Sequence, residues 1–161
     1  MPRPPMTGSR TSSLAAILYG GLLAGSIDVG AASLINGISP MIILRAIASG
    51  LLGRAAFHGG VPIAMLGLVL QWAMSLLIAA IFVGAARRLG WMHGRWIAAG
   101  LAYGVVVFVV MEYVVVPLSA AMKPHFTMLS LLENVAAMCL FGLIVSFFAR
   151  GTADPSGTTA S

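Results

Sequence analysis

Apolar and polar positions along this chain separate into blocks rather than alternating, and four apolar blocks stand out: Leu14 to Asn36, Val61 to Ala86, Trp96 to Ser119 and Met128 to Ala149. Each runs 22 to 26 residues, which at about 1.5 Å per residue crosses a hydrocarbon layer of about 30 Å. A membrane β-barrel needs many segments of about ten residues alternating apolar and polar, whereas these blocks are apolar on every side. A lone segment in lipid satisfies its backbone N–H and C=O groups internally only as a helix. Even the β-branched run Val105 to Val110 is therefore read as helical. The pattern predicts an all-α membrane protein with four transmembrane helices.

The flanks and connections complete this picture. Residues 1–13 and 150–161 are rich in Pro, Gly, Ser, Thr and Arg and read as flexible tails around one domain, 14–149. Gly37 to Gly60 is longer than two neighbouring helices need to turn around. Within it Ser39 offers an N-cap and Pro40 an N1 proline, and Arg45, Ser49 and Gly53 recur at spacings of four. That spacing predicts an amphipathic helix over about 39–57, lying at the outer membrane interface. Gly59 and Gly60 end it, and Pro62 opens the next span. The first span has a second reading: Arg3 and Arg10 before an apolar run with small residues at Gly30, Ala31 and Ala32 share the outline of a secretory leader. Asp28 and the length of the run favour a retained helix.

Composition removes the soluble alternatives. The 161 residues are 60% hydrophobic and 8% charged, against about 25% charged in a soluble domain, too few to coat a water-facing surface. Nine Lys and Arg against four Asp and Glu form no patch interleaved with aromatics, so nucleic acid is not an expected partner; the bilayer is. With the N-terminus inside, Arg3, Arg10, Arg87, Arg88, Arg95 and Arg150 fall on the cytoplasmic side and Arg45, Arg54 and Lys123 on the other, which orients both termini to the cytoplasm. Cys139 stands alone, and His58, His93 and His125 are scattered at span ends without ligand spacing. Neither a metal nor a cofactor is expected, and no nucleophile or nucleotide motif points to an enzyme.

Two constellations remain. Gly21 with Gly25, and Gly100 with Gly104, carry the spacing of four that lets helix backbones approach closely, within one chain, between copies, or against a membrane partner subunit. The ionisable residues within spans are Asp28, Glu112 and Glu133, each costing about 2.5–3.5 kcal/mol to insert if unpaired. On the predicted topology all three lie in the outer half, with Gln71 and Asn134 at comparable depth. One reading is an outward-facing polar cluster that binds a proton, a cation or a small solute, as in a small oligomeric channel or transporter. The rival reading is structural: Arg45 and Arg54 pair with the carboxylates and fasten the connecting helix over the bundle.

From Gly60 onward the chain resembles the small bacterial inner-membrane proteins of the YagU type. The resemblance is carried by Gln71 with Ser75 and Ala79, by GRWIAAGLAYG from Gly94 to Gly104, by VVVPLSA around Pro117, and by Glu133 to Val135. It implies an inner-membrane location and a link to acid tolerance. A histidine often stands in that family where this chain has Gln71, so the titratable group at that position is missing here.

Overall fold

A computed structural model describes residues 12–120 and 128–152, and among these residues every regular element is helical. α1 (Ser13–Asn36) opens at Ser12, whose Oγ accepts from the Ala15 amide at 3.1 Å, and closes at Gly37 in the left-handed region (φ 62°), where the Gly37 and Ile38 amides reach back to the Leu34 and Ser33 carbonyls. After three linking residues comes α2 (Pro40–Leu52), then a 3₁₀ stretch, Gly53–His58. α3 (Val61–Arg88), a single turn α4 (Trp91–Gly94) and α5 (Trp96–Val110) follow. α5 runs into a π-helical turn, Met111–Val115, and a last turn α6 (Val116–Leu118), before α7 (Met128–Ala149). The four spans read from the sequence thus correspond to α1, α3, α5 through α6, and α7.

Among the described residues five stretches are long and apolar enough to cross a membrane, and the additional one is Pro40–His58. That stretch is not one straight rod. Gly53, at φ 60° and ψ −149°, breaks it after 13 residues; about 20 Å of α-helix at 1.5 Å per residue is short of a hydrocarbon core. Its faces also differ from the expectation for an interfacial helix. Ser49 is buried and Arg45 half-buried, while Met41, Ile42, Leu51 and Leu52 are exposed. The polar stripe is turned toward the protein and the apolar side outward, the arrangement suited to a surrounding of lipid rather than water.

In lipid, helices gain little from burying apolar area against one another, so close packing of small residues and interhelical hydrogen bonds hold a bundle together. Both glycine pairs do this within the chain. A Cβ at Gly21 would sit 3.0–3.2 Å from Leu76 and the Ser75 carbonyl, and one at Gly25 would overlap the Ser75 side chain; α1 therefore lies antiparallel on α3. A Cβ at Gly100 would meet the Gly142 carbonyl at 2.9 Å, and one at Gly104 would overlap the Met138 carbonyl, so α5 lies antiparallel on α7. α7 packs between α1 and α5, with Gly20 against Val145 and Phe148. Two bonds tie the pairs further: Tyr103 Oη donates to the Ile78 carbonyl at 2.7 Å, and Ser146 Oγ to the Trp96 carbonyl at 2.6 Å. The Tyr103 ring meets Phe82 edge-on at 4.9 Å.

These pairings give the bundle two distinct ends. One holds Ser12, the end of α3, the start of α5 and Thr152, and with them Arg87, Arg88, Arg95 and Arg150. The other holds Asn36, α2, the start of α3, α6 and the start of α7. α2 is bound there twice: its backbone at Leu44 lies directly on Gly67, where any Cβ would collide with the Leu44 carbonyl, and the Ala120 amide donates to the Gly50 carbonyl at 3.0 Å.

Candidate functional site

The ionisable residues of the spans collect toward the α2 end. At about 1.5 Å per residue, Asp28 lies about 12 Å from the end of α1, Glu112 about 9 Å from the end of α6, Glu133 about 8 Å from the start of α7, and Gln71 about 15 Å from the start of α3.

The Asp28 side chain is partly buried. It follows Gly25 by three residues, so the close approach that Gly25 permits brings the carboxylate against α3. Gln71 Nε2 donates to Asp28 Oδ2 at 2.9 Å and to the Gly25 carbonyl at 3.3 Å. One amide group thus satisfies both the carboxylate and a backbone oxygen of the neighbouring helix. On the next residue, Trp72 Nε1 donates to Ser26 Oγ at 3.2 Å, and Ser26 Oγ donates to the Leu22 carbonyl at 2.8 Å. Ser26 and Trp72 carry no pairing signal in the sequence; each is the chain neighbour of a residue in the Gly25–Gln71 contact, which brings them together.

Glu112 sits on the buried stripe of α5. Ala99 and Gly100, Tyr103 and Gly104, Val107 and Phe108 are buried or half-buried with the intervening pairs exposed, and Met111 with Glu112 is the next step. Glu112 also lies in the π turn, which Pro117 explains: lacking an N–H, it cannot donate to the carbonyl four residues back, and Val116 instead bonds to the Met111 carbonyl five back. Such turns occur frequently at functional sites. Glu133 is half-buried on α7, and the neighbouring Asn134 turns its amide to its own helix, Nδ2 donating to the Ser130 carbonyl at 2.7 Å. The structure therefore joins Asp28 to Gln71, and brings neither Glu112, Glu133 nor Asn134 into hydrogen-bond contact with that pair.

The expected ion pairs are not formed among the described residues. Arg45 reaches Met41 Sδ at 3.4 Å along its own helix, its Nε is buried without a partner, and Arg54 is exposed. The spacing of four that places Arg45 on one stripe with Ser49 does not by itself give it a carboxylate: α2 rests on α3 at Gly67, one turn along the helix from the Gln71 that holds Asp28. Among the described residues no three His, Cys, Asp or Glu side chains gather as a metal centre. His125 and Lys123 lie outside the described residues.

Apolar helices of spanning length, an outer surface studded with exposed Leu, Ile, Val and Met, and a core of glycine and alanine contacts define a helical bundle of the integral membrane class. No family model, curated protein or solved structure matches the chain.

Proposed function

We propose that the chain is a multi-pass protein of a bacterial inner membrane that moves a proton or small cation through the polar region at its α2 end, with the carboxylate of Asp28 as the binding group. One observation carries the reading: Asp28 is held between two helices by the neutral donor Gln71, with no cation paired to it among the described residues. An intramembrane carboxylate without a fixed counter-charge leaves its charge to be balanced by a mobile one. Glu112 and Glu133, at similar depth toward the same end, are the next groups along the path.

In this reading α1, α3, α5 and α7 cross the bilayer and Pro40–His58 leaves and returns by the same side, supported by the antiparallel run of α1 on α3 and by the break at Gly53. The arginine end faces the cytoplasm, following the bias of Lys and Arg toward that side. Several copies are needed to enclose a pathway, since a four-span chain has no internal repeat of the kind secondary transporters use.

A second reading has its own observation. Gln71 bridges Asp28 and the Gly25 carbonyl, which is also how a purely structural tie between α1 and α3 is built. The two readings separate on Asp28→Asn, which keeps an acceptor for Gln71 and removes the charge. Purified protein in proteoliposomes, with an internal pH dye and imposed H⁺, Na⁺ or K⁺ gradients, is expected to show flux that Asp28→Asn abolishes at unchanged protein abundance. Flux that is absent from the unaltered protein for all three ions, or that survives Asp28→Asn, leaves the structural tie as the function of the pair.

A further inference from the structure

At the arginine end, α7 is flanked by α1 on one side and α5 on the other, and its outward surface between them forms an open groove of about 440 Å³. This lies within the range of about 300–1,000 Å³ typical of small-molecule sites. Leu23, Ile97, Leu143 and Ile144 form its apolar walls, and Trp96 and Phe147 lie at the end nearest the arginines. Arg150 closes that end: its guanidinium carbon stands 3.9 Å from the centroid of the Phe147 ring and 5.1 Å from that of Trp96. Stacking over rings occupies the faces of a guanidinium and leaves its N–H edge available. Arg150 makes no hydrogen bond or ion pair among the described residues.

We propose that this groove binds an anionic glycerophospholipid, one acyl chain lying along Leu23, Ile97, Leu143 and Ile144 and the phosphate taking the free edge of Arg150. Apolar wall and unpaired cation meet at the depth where a lipid changes from chain to headgroup, a depth that Trp96, at the start of its helix, marks as the membrane interface. Arg87, Arg88 and Arg95 lie at the same end but are not among the residues that line the groove. A second copy fits the groove less well. A two-fold contact across it would bring the two Arg150 side chains toward each other in a medium where like charges repel strongly, whereas a phosphate neutralises the one that is there. The proposal is independent of ion transport at Asp28.

The test uses the full chain with Trp72→Phe and Trp91→Phe, leaving Trp96 as the fluorescent reporter, in phosphatidylcholine vesicles. Acyl-brominated phosphatidylglycerol or acyl-brominated phosphatidylcholine is then titrated in as quencher. Half-quenching is expected at about a fivefold lower mole fraction of the anionic lipid, the ratio that about 1 kcal/mol gives. Arg150→Gln should remove that preference, Arg87→Gln with Arg88→Gln should retain it, and Leu143→Phe, which fills the groove, should weaken quenching by both lipids. Equal quenching by the two lipids, or a preference that survives Arg150→Gln, overturns the proposal. So does protection of Trp96 from both quenchers together with chain-to-chain disulfide formation by Ile144→Cys, which would assign the groove to a second copy.

Discussion

The α5–α7 and α1–α3 interfaces begin from the same device and end differently. Gly100 and Gly104 lie against the backbone of α7, and Gly142 returns the contact, so that any Cβ there would collide with the Gly100 carbonyl. That interface is backbone against backbone, and Ser146 fastens it to the Trp96 carbonyl. Gly21 and Gly25 bring α1 close to α3 as well, but at Gly25 the approach meets the Ser75 side chain and leads within one turn to Asp28 and Gln71. The first interface is complete as packing. In the second, the same close approach positions a carboxylate, and the lesson is that a pair of glycines four apart states only how near two helices come; the residue a turn further on decides what nearness is used for.

The largest effect should come from the interface with no slack. Gly142→Leu is expected to cost about 3 kcal/mol or more, because a backbone cannot yield as a side chain can, and reversible unfolding in lipid followed by circular dichroism would measure it. If Gly142→Leu were tolerated, the backbone contact would not be what holds α5 to α7. Gly25→Ala should cost less, about 1–3 kcal/mol, and Ser75→Gly should recover part of it. A double-mutant cycle is expected to give a coupling of at least about 0.5 kcal/mol, and simple additivity would separate Gly25 from Ser75. Gln71→Leu should lower stability by about 0.6–1.7 kcal/mol, the usual worth of an interhelical polar contact in a membrane; a larger loss would move the balance toward the structural reading of the pair. Smallest is Pro117→Ala, expected within about 0.5 kcal/mol. It restores the missing N–H and should relax the π turn, which spin labels placed beyond Val116 would report as a changed distance to α7.

The long helices were legible because a long apolar block in lipid has one backbone solution. Val61 to Ala86 is thus recovered within α3, which runs on to Arg88, and Met128 to Ala149 coincides with α7. The connecting segment was legible as a helix but not in its facing: the spacing of Arg45, Ser49 and Gly53 defines a polar stripe, and only the seat of Leu44 on Gly67 decides that the stripe turns inward. Depth along a helix is read from sequence number, which is why Asp28, Gln71, Glu112 and Glu133 were placed toward one end. Azimuth is not, so the meeting of Asp28 with Gln71, and the failure of Arg45 and Arg54 to meet a carboxylate, depend on which helices are neighbours. The π turn had a sequence signal in Pro117, five residues after Glu112.

The break at Gly53 bears on how the chain enters the bilayer. Helices are handed to the membrane one after another, and each full crossing reverses the side on which the next loop emerges. On the topology proposed above, residues 40–58 go in and come back through one face, the parity is unchanged, and Ser12 and Thr152 share a compartment. On that topology Gly53 is a parity lock: a residue there that let the helix continue straight would offer the insertion machinery a fifth crossing and invert everything from α3 onward.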